Sequence, residues 1–185
     1  MQQVRTTWTA ADGTLITLRP IEAGDFALEQ AFVAGLSAAT GYKRLLSARR
    51  LSREEIRRFT EIDPECEFAV IATTVQNGVE RQVGVARYVK EGCSDEAEFA
   101  IVLSDDWQGR GLGTSLLASL VAAAKNHGVR RLVGTTLSEN AGMLALGRKL
   151  GFKLAIDPRS AMITNLTLDL AALPPGAAAD VKDGG

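Results

Sequence analysis

The chain has 185 residues, of which 46% are hydrophobic and 23% are charged, and its formal net charge is −1. This length and composition predict one globular domain with a sizeable core. The near-neutral charge argues against a nucleic-acid partner or a membrane-surface role. No apolar stretch is long enough to predict a transmembrane helix.

Cysteine and histidine are scarce in this chain. Cys66 and Cys93 are too few for a disulfide framework, and with the single His127 they make no metal-binding cluster. We therefore expect no metal and two reduced thiols in a cytoplasmic protein without a signal peptide. Residues 171–185 are rich in Pro, Gly and Ala and predict a flexible tail after a single domain at residues 1–170.

The first half of the chain mixes strand and helix patterns. Ser52 and Glu55 form a capping box, and Gln76-Asn77-Gly78 is typical of a hairpin turn. In chain order, period-two alternation and capping residues predict a strand at 15–19, a helix capped by Asp25 that ends near 35, a basic connector at 37–47, a helix from 52 to about 60, and strands at 68–74 and 82–89.

The second half continues with longer apolar runs. In chain order, these predict a strand at 96–103, a helix from about 112 to 127, a strand at 131–137, a helix at 141–150, and strands at 152–155 and 162–168. Gly128 and Gly151 follow the two helices as C-terminal caps. Strands and helices in this order predict a mixed α/β arrangement in one domain.

Three glycines within residues 109–113 separate a predicted strand from a predicted helix. Glycine lets the backbone turn sharply and approach a ligand closely. The N-terminus of a helix presents unpaired N–H groups and the positive end of its dipole, which favour phosphate. The pattern therefore predicts an anion site on the amides from Gln108 to Thr114, the alternative being a structural turn without a ligand.

The glycine spacing excludes two common nucleotide-binding motifs. A P-loop needs a lysine directly after its last glycine, and none follows Gly113. A dinucleotide fingerprint needs Gly-x-Gly-x-x-Gly, whereas residues 109–113 read Gly-x-Gly-x-Gly. The glycines alone therefore leave the ligand open.

Two motifs together resemble the signatures of the GCN5-related N-acetyltransferase (GNAT) superfamily. Gln108-Gly109-Arg110-Gly111-Leu112-Gly113 resembles Gln/Arg-x-x-Gly-x-Gly/Ala. Asn140, followed by Leu146-Gly147-Arg148-Lys149-Leu150-Gly151-Phe152, resembles Asn…Leu-Tyr-x-Lys-x-Gly-Phe. Ala97–Ala100 and Asp105–Gly113 are most similar to bacterial protein-lysine acetyltransferases. The resemblance implies a GNAT fold, an α/β (α+β) domain whose single, mostly antiparallel mixed sheet has about six or seven strands, splays in the middle and is flanked by about four helices.

The resemblance implies acetyl-CoA as cosubstrate, with its pyrophosphate on the loop amides and its pantetheine arm along the preceding strand. The implied cofactor-binding residues are Ile101, Val102, Leu103, Gln108, Gly109, Arg110, Gly111, Leu112, Gly113, Thr114 and Asn140. Arg110 would add a positive charge near the phosphates, the alternative being a solvated surface residue. Asn140 would contact the cofactor, the alternative being a plain helix N-cap.

The implied reaction is direct attack of an amine on the thioester. A lysine amine with a pKa of about 10.4 must lose a proton before it attacks, and a nearby carboxylate can accept that proton. Glu98 is the candidate base because relatives carry a glutamate on this strand. Glu96 would face the same side, and Glu139 is the second candidate. The alternative for Glu98 is a structural ion pair with Arg87.

The general acid is the departure from the family pattern. Many relatives carry a tyrosine that protonates the leaving thiolate, and Gly147 occupies that position here. No general acid is therefore assigned, and we expect Gly147 to widen the site.

We expect an acetyl-CoA-dependent N-acetyltransferase that acts on a protein lysine, as a monomer or a homodimer. One alternative is an enzyme for a small amine such as an amino acid, a polyamine or an antibiotic. The other is a non-catalytic acetyl-CoA sensor, suggested by the missing tyrosine.

Overall fold

A computed structural model describes residues 5–45, 51–92 and 94–172. Cys93 and the predicted tail from residue 173 onward lie outside these residues. The strands are β1 (Thr6–Thr9), β2 (Leu15–Pro20), β3 (Glu67–Gln76), β4 (Val79–Lys90), β5 (Glu96–Leu103), β6 (Arg131–Leu137), β7 (Lys153–Asp157) and β8 (Ser160–Asp169). The α-helices are α1 (Phe26–Gly35), α2 (Ala38–Leu45), α3 (Arg53–Arg58), α4 (Leu112–Asn126) and α5 (Ala141–Lys149).

The eight strands form one sheet in the order β1-β2-β3-β4-β5-β6-β8-β7. Neighbouring strands are antiparallel except β5 and β6, which run parallel. The predicted mixed and mostly antiparallel sheet is therefore confirmed, with eight strands where six or seven were predicted. β1 is the strand that the sequence patterns missed, because it is a short edge strand with little buried apolar surface.

The core lies on both faces of the sheet. The larger cluster packs α4 through Leu116, Leu117 and Leu120 against one face. The smaller cluster packs Phe32 of α1 against Ile71 and Val85 on the other face. Because side chains alternate along a strand, each central strand contributes residues to both clusters, which matches the continuous apolar runs of β3 and β4.

Two local sequence predictions, the hairpin turn and the Ser52 capping box, are confirmed, and a third, the Asp25 cap, is not. Asn77 and Gly78 both have positive φ and join β3 to β4 as a tight hairpin. The Ser52 capping box is present at the start of α3. Asp25 is at the N-terminus of α1 but does not cap it through its side chain, because its carboxylate accepts hydrogen bonds from Arg19 and from the Glu22 N–H instead.

One predicted connector is a helix. Residues Ala38–Leu45 form α2, within the segment that the sequence analysis assigned to a basic connector at 37–47. Ser37 begins the helix, since its hydroxyl accepts the Thr40 N–H at 3.2 Å. The helix is short, carries Gly41 and has few large apolar residues, so its sequence gives a weak helix signal.

Candidate active site

The central strands separate at the middle of the sheet. β5 and β6 pair only over Glu96–Glu98 and Arg131–Val133, while β6 pairs with β8 along its whole length. Beyond these three pairs the two strands diverge, as the predicted splay requires. A cavity of about 560 Å³ lies in this opening, between β5, β6, the glycine loop, α2 and α5.

Main-chain groups of β5 face this opening. The Ser104 N–H donates to the Val83 carbonyl on β4. Because the C=O and N–H of a trans peptide point in opposite directions, the Leu103 carbonyl points away from β4. Alternate residues of an antiparallel strand share this direction, so Ile101 also presents its N–H and C=O to the opening. Such groups suit the amides of an extended ligand lying beside the strand.

The glycine loop closes one end of the cavity. Gly109 and Gly111 have φ of +70° and +89°, conformations that L side chains rarely adopt. An added Cβ at Gly109 would meet nothing within 4 Å, so the backbone conformation and not a lack of space requires glycine there. α4 begins at Leu112, which brings the N-terminal end of a 15-residue helix to the cavity.

Hydrogen bonds define which loop amides can meet an anion. The Thr114 N–H donates to the Gly111 carbonyl at 3.0 Å, and the Gln108 N–H donates to the Asp105 carbonyl at 3.4 Å. The N–H groups of Gln108 and Thr114, the first and last residues of the predicted anion site, therefore already have hydrogen-bond acceptors within the protein. The anion site narrows to the amides of residues 109–113, at the positive end of the α4 dipole.

Glu98 lies at the last paired position before the strands diverge, and its exposed side chain lines the cavity. It shares a face of β5 with Val102, which packs with the α1 cluster. The alternative pairing with Arg87 is not present in the structure. The Arg87 guanidinium lies 4.0 Å from Glu29 and donates to the Phe59 carbonyl, and Glu98 has no ion pair among the described residues.

The two other candidate carboxylates lie elsewhere. Glu96 is the first residue of β5, and its Oε2 lies 3.2 Å from the Arg131 guanidinium. Glu139 is exposed in the turn before α5 and is not among the residues that line the cavity. Of the three glutamates, Glu98 alone therefore faces the cavity.

The model of the acetyltransferase (GNAT) domain family matches residues 16–153 of this chain. The chain belongs to the GNAT acetyltransferase family. It is accordingly an acetyl-CoA-dependent acyltransferase and not the non-catalytic sensor considered as an alternative.

Individual relatives agree with this assignment. An acetyltransferase of Pseudomonas aeruginosa is 31% identical over 150 residues, which are 80% of each chain. The acetyltransferase Pat of Mycolicibacterium smegmatis is also 31% identical over 150 residues, but these make up only 43% of its length. An L-methionine sulfoximine/L-methionine sulfone acetyltransferase of Pseudomonas aeruginosa is 35% identical over 65 residues, 35% of this chain and 38% of the relative.

The solved GNAT domain of PAT from S. lividans has a similar fold. The TM-score is 0.79 at 26% identity, over 89% of this chain and 96% of that domain. The sheet that splays in its middle and the predicted helical layers are thus those of a GNAT domain.

Two predicted cofactor residues of this GNAT domain have side chains outside the cavity. The Arg110 guanidinium pairs with Asp12 in the β1–β2 turn and stacks 4.3 Å over the Trp107 ring. This pairing, after the hydrogen bonds from Thr14, helps to lower the pKa of Asp12 to about 2. Leu112 is fully buried in the core. Arg110 and Leu112 therefore reach the anion site only through their main-chain amides.

Asn140 is the N-cap of α5 and also lines the cavity. Its side-chain oxygen accepts the Met143 N–H at 3.3 Å, so it is the N-cap of α5. Its Nδ2 donates to the Thr136 hydroxyl at 3.0 Å, and the residue also lines the cavity. The remaining predicted cofactor residues that line the cavity are Ile101, Val102, Leu103, Gln108, Gly109, Gly111, Gly113 and Thr114.

Gly147 occupies the position where many relatives have a tyrosine, but it does not widen the cavity as expected. A Cβ at Gly147 would lie 2.7 Å from Cδ2 of Leu166. Gly147 is buried and is not a lining residue, whereas Leu166 lines the cavity. The leucine side chain from β8 therefore occupies the space beside Gly147.

Several cavity residues were not predicted from the sequence. Thr40 and Lys43 come from α2, Thr135 from β6 and Lys149 from the end of α5. Lys149 stands at the lysine of the second GNAT signature, which was a usable signal. The others depend on helix α2 and on the register of β6, which local patterns do not reveal.

The described part of the chain holds neither a cluster of metal ligands nor a helix that could span a membrane. Residues 5–45, 51–92 and 94–172 contain no group of three or more His, Cys, Asp or Glu side chains that could hold a metal ion. No helix within the same ranges has the length and hydropathy needed to cross a membrane.

Proposed function

We propose that this GNAT enzyme transfers the acetyl group of acetyl-CoA to a lysine side chain of a protein, with Glu98 as the general base. The observation that carries the proposal is the position of Glu98, an exposed carboxylate at the edge of the opening between β5 and β6. Pat, a relative at 31% identity, is an acetyltransferase whose matched segment is less than half of its length.

The polar groups around the cavity suit acetyl-CoA. The amides of residues 109–113 and the α4 N-terminus offer donors for the pyrophosphate. The main chain of Ile101 and Leu103 offers hydrogen-bond partners for the pantetheine amides. Acetyl-CoA placed in this way has its thioester in the opening between the strands, beside Glu98.

The chemistry then follows from this placement. The lysine ammonium gives a proton to the Glu98 carboxylate, directly or through a water, and the neutral amine attacks the thioester carbonyl. The C–N bond forms and the C–S bond breaks, and the departing CoA thiolate takes up the second proton, which the amine nitrogen loses as it becomes an amide. Glu98 has no ion pair among the described residues, whereas a carboxylate held by an arginine would be a poor base.

Substitution of Glu98 by Gln tests the base directly. We expect Glu98→Gln to lower kcat about 10²- to 10⁴-fold, the range for loss of a general base, while the Kd for CoA stays within twofold. Glu96→Gln is the matched control, because it removes a carboxylate of the same strand that is paired with Arg131. Normal turnover by Glu98→Gln would exclude Glu98 as the base.

The acceptor class needs a separate experiment. Labelled acetyl-CoA is incubated with the enzyme and either lysine-containing proteins or a panel of free amines. Label on protein lysines, found by peptide mass spectrometry, supports the proposal. Label on amino acids alone would instead support the second candidate, a small-amine acetyltransferase, which the 65-residue match to an L-methionine sulfoximine/L-methionine sulfone acetyltransferase favours.

A further inference from the structure

A hydrogen-bond network ties α2 to the turn that precedes the glycine loop. The Asp105 carboxylate accepts the Ser37 N–H at 3.0 Å and the Ser37 hydroxyl at 2.7 Å. It also accepts the Thr40 hydroxyl at 2.8 Å. Asp105 thus holds the first turn of α2, although 65 or more positions separate it from these partners.

The same network determines the orientation of the Gln108 amide. The ionised Asp105 carboxylate only accepts, and the Ser37 side chain and N–H hold its pKa below the usual range. The Thr40 hydroxyl has one proton, which it gives to Asp105, so its oxygen is left to accept from Nε2 of Gln108 at 3.1 Å. Nε2 of Gln108 also donates to the Leu103 carbonyl at 3.2 Å.

Both N–H groups of the Gln108 amide are therefore used, and its Oε1 remains as an acceptor. The Nε2 contacts join three parts of the cavity wall, namely α2 at Thr40, the end of β5 at Leu103 and the glycine loop at Gln108 itself. Asp105 and Ser37 do not line the cavity. They can act on a ligand only through the residues that they hold.

We propose that Asp105 is a positioning residue that, through Ser37 and the Thr40 hydroxyl, orients Gln108 and fastens α2 against the loop in the shape that receives CoA. This inference rests on the proposed placement of CoA in the cavity. Loss of the network leaves the loop and the α2 wall less ordered, and CoA binding must then order them, which weakens its affinity. Glu98 is outside the network, so the chemical step changes little.

Two substitutions of Thr40 test whether its hydroxyl is needed for CoA binding. Thr40→Val keeps the shape and removes the hydrogen bonds to Asp105 and Gln108, and we expect it to raise the Kd for CoA and the KM for acetyl-CoA about tenfold. We expect kcat at saturation to stay within about twofold. Thr40→Ser keeps the hydroxyl and restores binding. The control is Thr74→Val, which removes another buried hydroxyl, bonded to the Leu15 carbonyl and remote from the cavity.

Ser37→Ala separates positioning from direct contact, because Ser37 does not line the cavity. We expect it to raise the Kd for CoA about threefold, with an unchanged circular dichroism spectrum. If Thr40→Val does not fold, the Kd of Ser37→Ala for CoA tests the positioning role by itself. Wild-type affinity for CoA in Ser37→Ala, and in Thr40→Val where it folds, would overturn the inference.

The outcome is independent of the test of Glu98. Normal turnover by Glu98→Gln, with weakened CoA binding in Ser37→Ala, would reject the proposed base and keep the positioning role. Impaired Glu98→Gln with normal CoA binding in Ser37→Ala would do the reverse.

Discussion

Gly134 occupies the point where β5 and β6 begin to diverge. It follows Val133, the last residue of β6 that pairs with β5. An added Cβ would lie 2.7 Å from Cε1 of Phe99 and 3.1 Å from the Phe99 carbonyl oxygen. The ring could turn, but the carbonyl belongs to the strand itself and cannot move alone. Glycine therefore lets the two strands stay close at the start of the opening.

Substitution of Gly134 tests this close approach. We expect Gly134→Ala to lower the free energy of unfolding by about 1–3 kcal/mol through overpacking, as measured by urea denaturation. Gly35→Ala is the control, since a Cβ there meets nothing within 4 Å and its φ is not positive. It should change the free energy of unfolding by less than about 1 kcal/mol. Equal stability of the two variants would contradict the steric argument.

At the scale of elements, a buried ion pair joins β2 to the start of α1. The Arg19 guanidinium donates to both carboxylate oxygens of Asp25, at 2.7 and 2.8 Å, and each side chain is only 9% exposed. Burial alone would raise the pKa of Asp25, but hydrogen bonds from Arg19 and the Glu22 N–H outweigh it and hold that pKa below its usual value. The pair therefore fixes where α1 begins.

Asp25→Asn removes the charge and keeps the size. We expect it to cost about 3 kcal/mol of stability at neutral pH, because the buried Arg19 loses its two-point partner and is left with the longer ion pair to Glu80, at 3.3 Å. The folded-state pKa of Asp25 is lowered, so its contribution is complete above the unfolded value of about 4 and is lost as pH falls through the folded-state pKa. Urea denaturation from pH 7 to 3 should show the difference between wild type and variant shrinking at the acidic end. A difference that is constant over this pH range would argue against the ion pair.

At the scale of the whole molecule, the sheet has two parts. β1 to β5 form one part and β6, β8 and β7 form the other, and only three residue pairs of β5 and β6 join them within the sheet. A ligand that lies along β5 and reaches the glycine loop and α5 contacts both parts. Binding energy of this kind adds to the free energy of unfolding of the whole domain.

CoA should therefore stabilise the protein as one unit. At a concentration 100 times its Kd we expect CoA to add about 2.7 kcal/mol and to slow amide exchange in both 101–103 and 134–136. Adenosine 3′,5′-bisphosphate lacks the pantetheine arm and is the matched ligand. It should raise Tm less than CoA does and slow exchange at 134–136 less than CoA does. Equal protection by both ligands would place the pantetheine arm outside the opening.

The parts that could be predicted from sequence are those with local causes. β5 and β6 have the predicted bounds because their apolar runs are bounded by polar residues and turns. The glycine loop was recognised because two motifs occur in the right order. Helix α2 was missed because it is short, contains Gly41 and has few large apolar residues, and β1 was missed because its residues are mostly exposed.

The rest of the site depends on contacts between distant segments. Nothing near Asp105 in the sequence indicates that it holds Ser37 and Thr40, since these lie 68 and 65 positions away. The Arg110 side chain points away from the cavity because it pairs with Asp12 in the β1–β2 turn. The space beside Gly147 is filled by the side chain of Leu166 on β8. Such contacts follow from the tertiary fold and not from local patterns.

The opening between β5 and β6 also bears on aggregation. Strand edges with unpaired main-chain groups are usually hazardous, because a second chain can add a strand to them. Beyond Glu98 and Val133, the facing sides of β5 and β6 are two such edges. They lie in the interior of an eight-stranded sheet, within a cavity walled by α2 and α5. The fold thus places these two unpaired edges inside the sheet and not at its rim, where a second chain would add a strand.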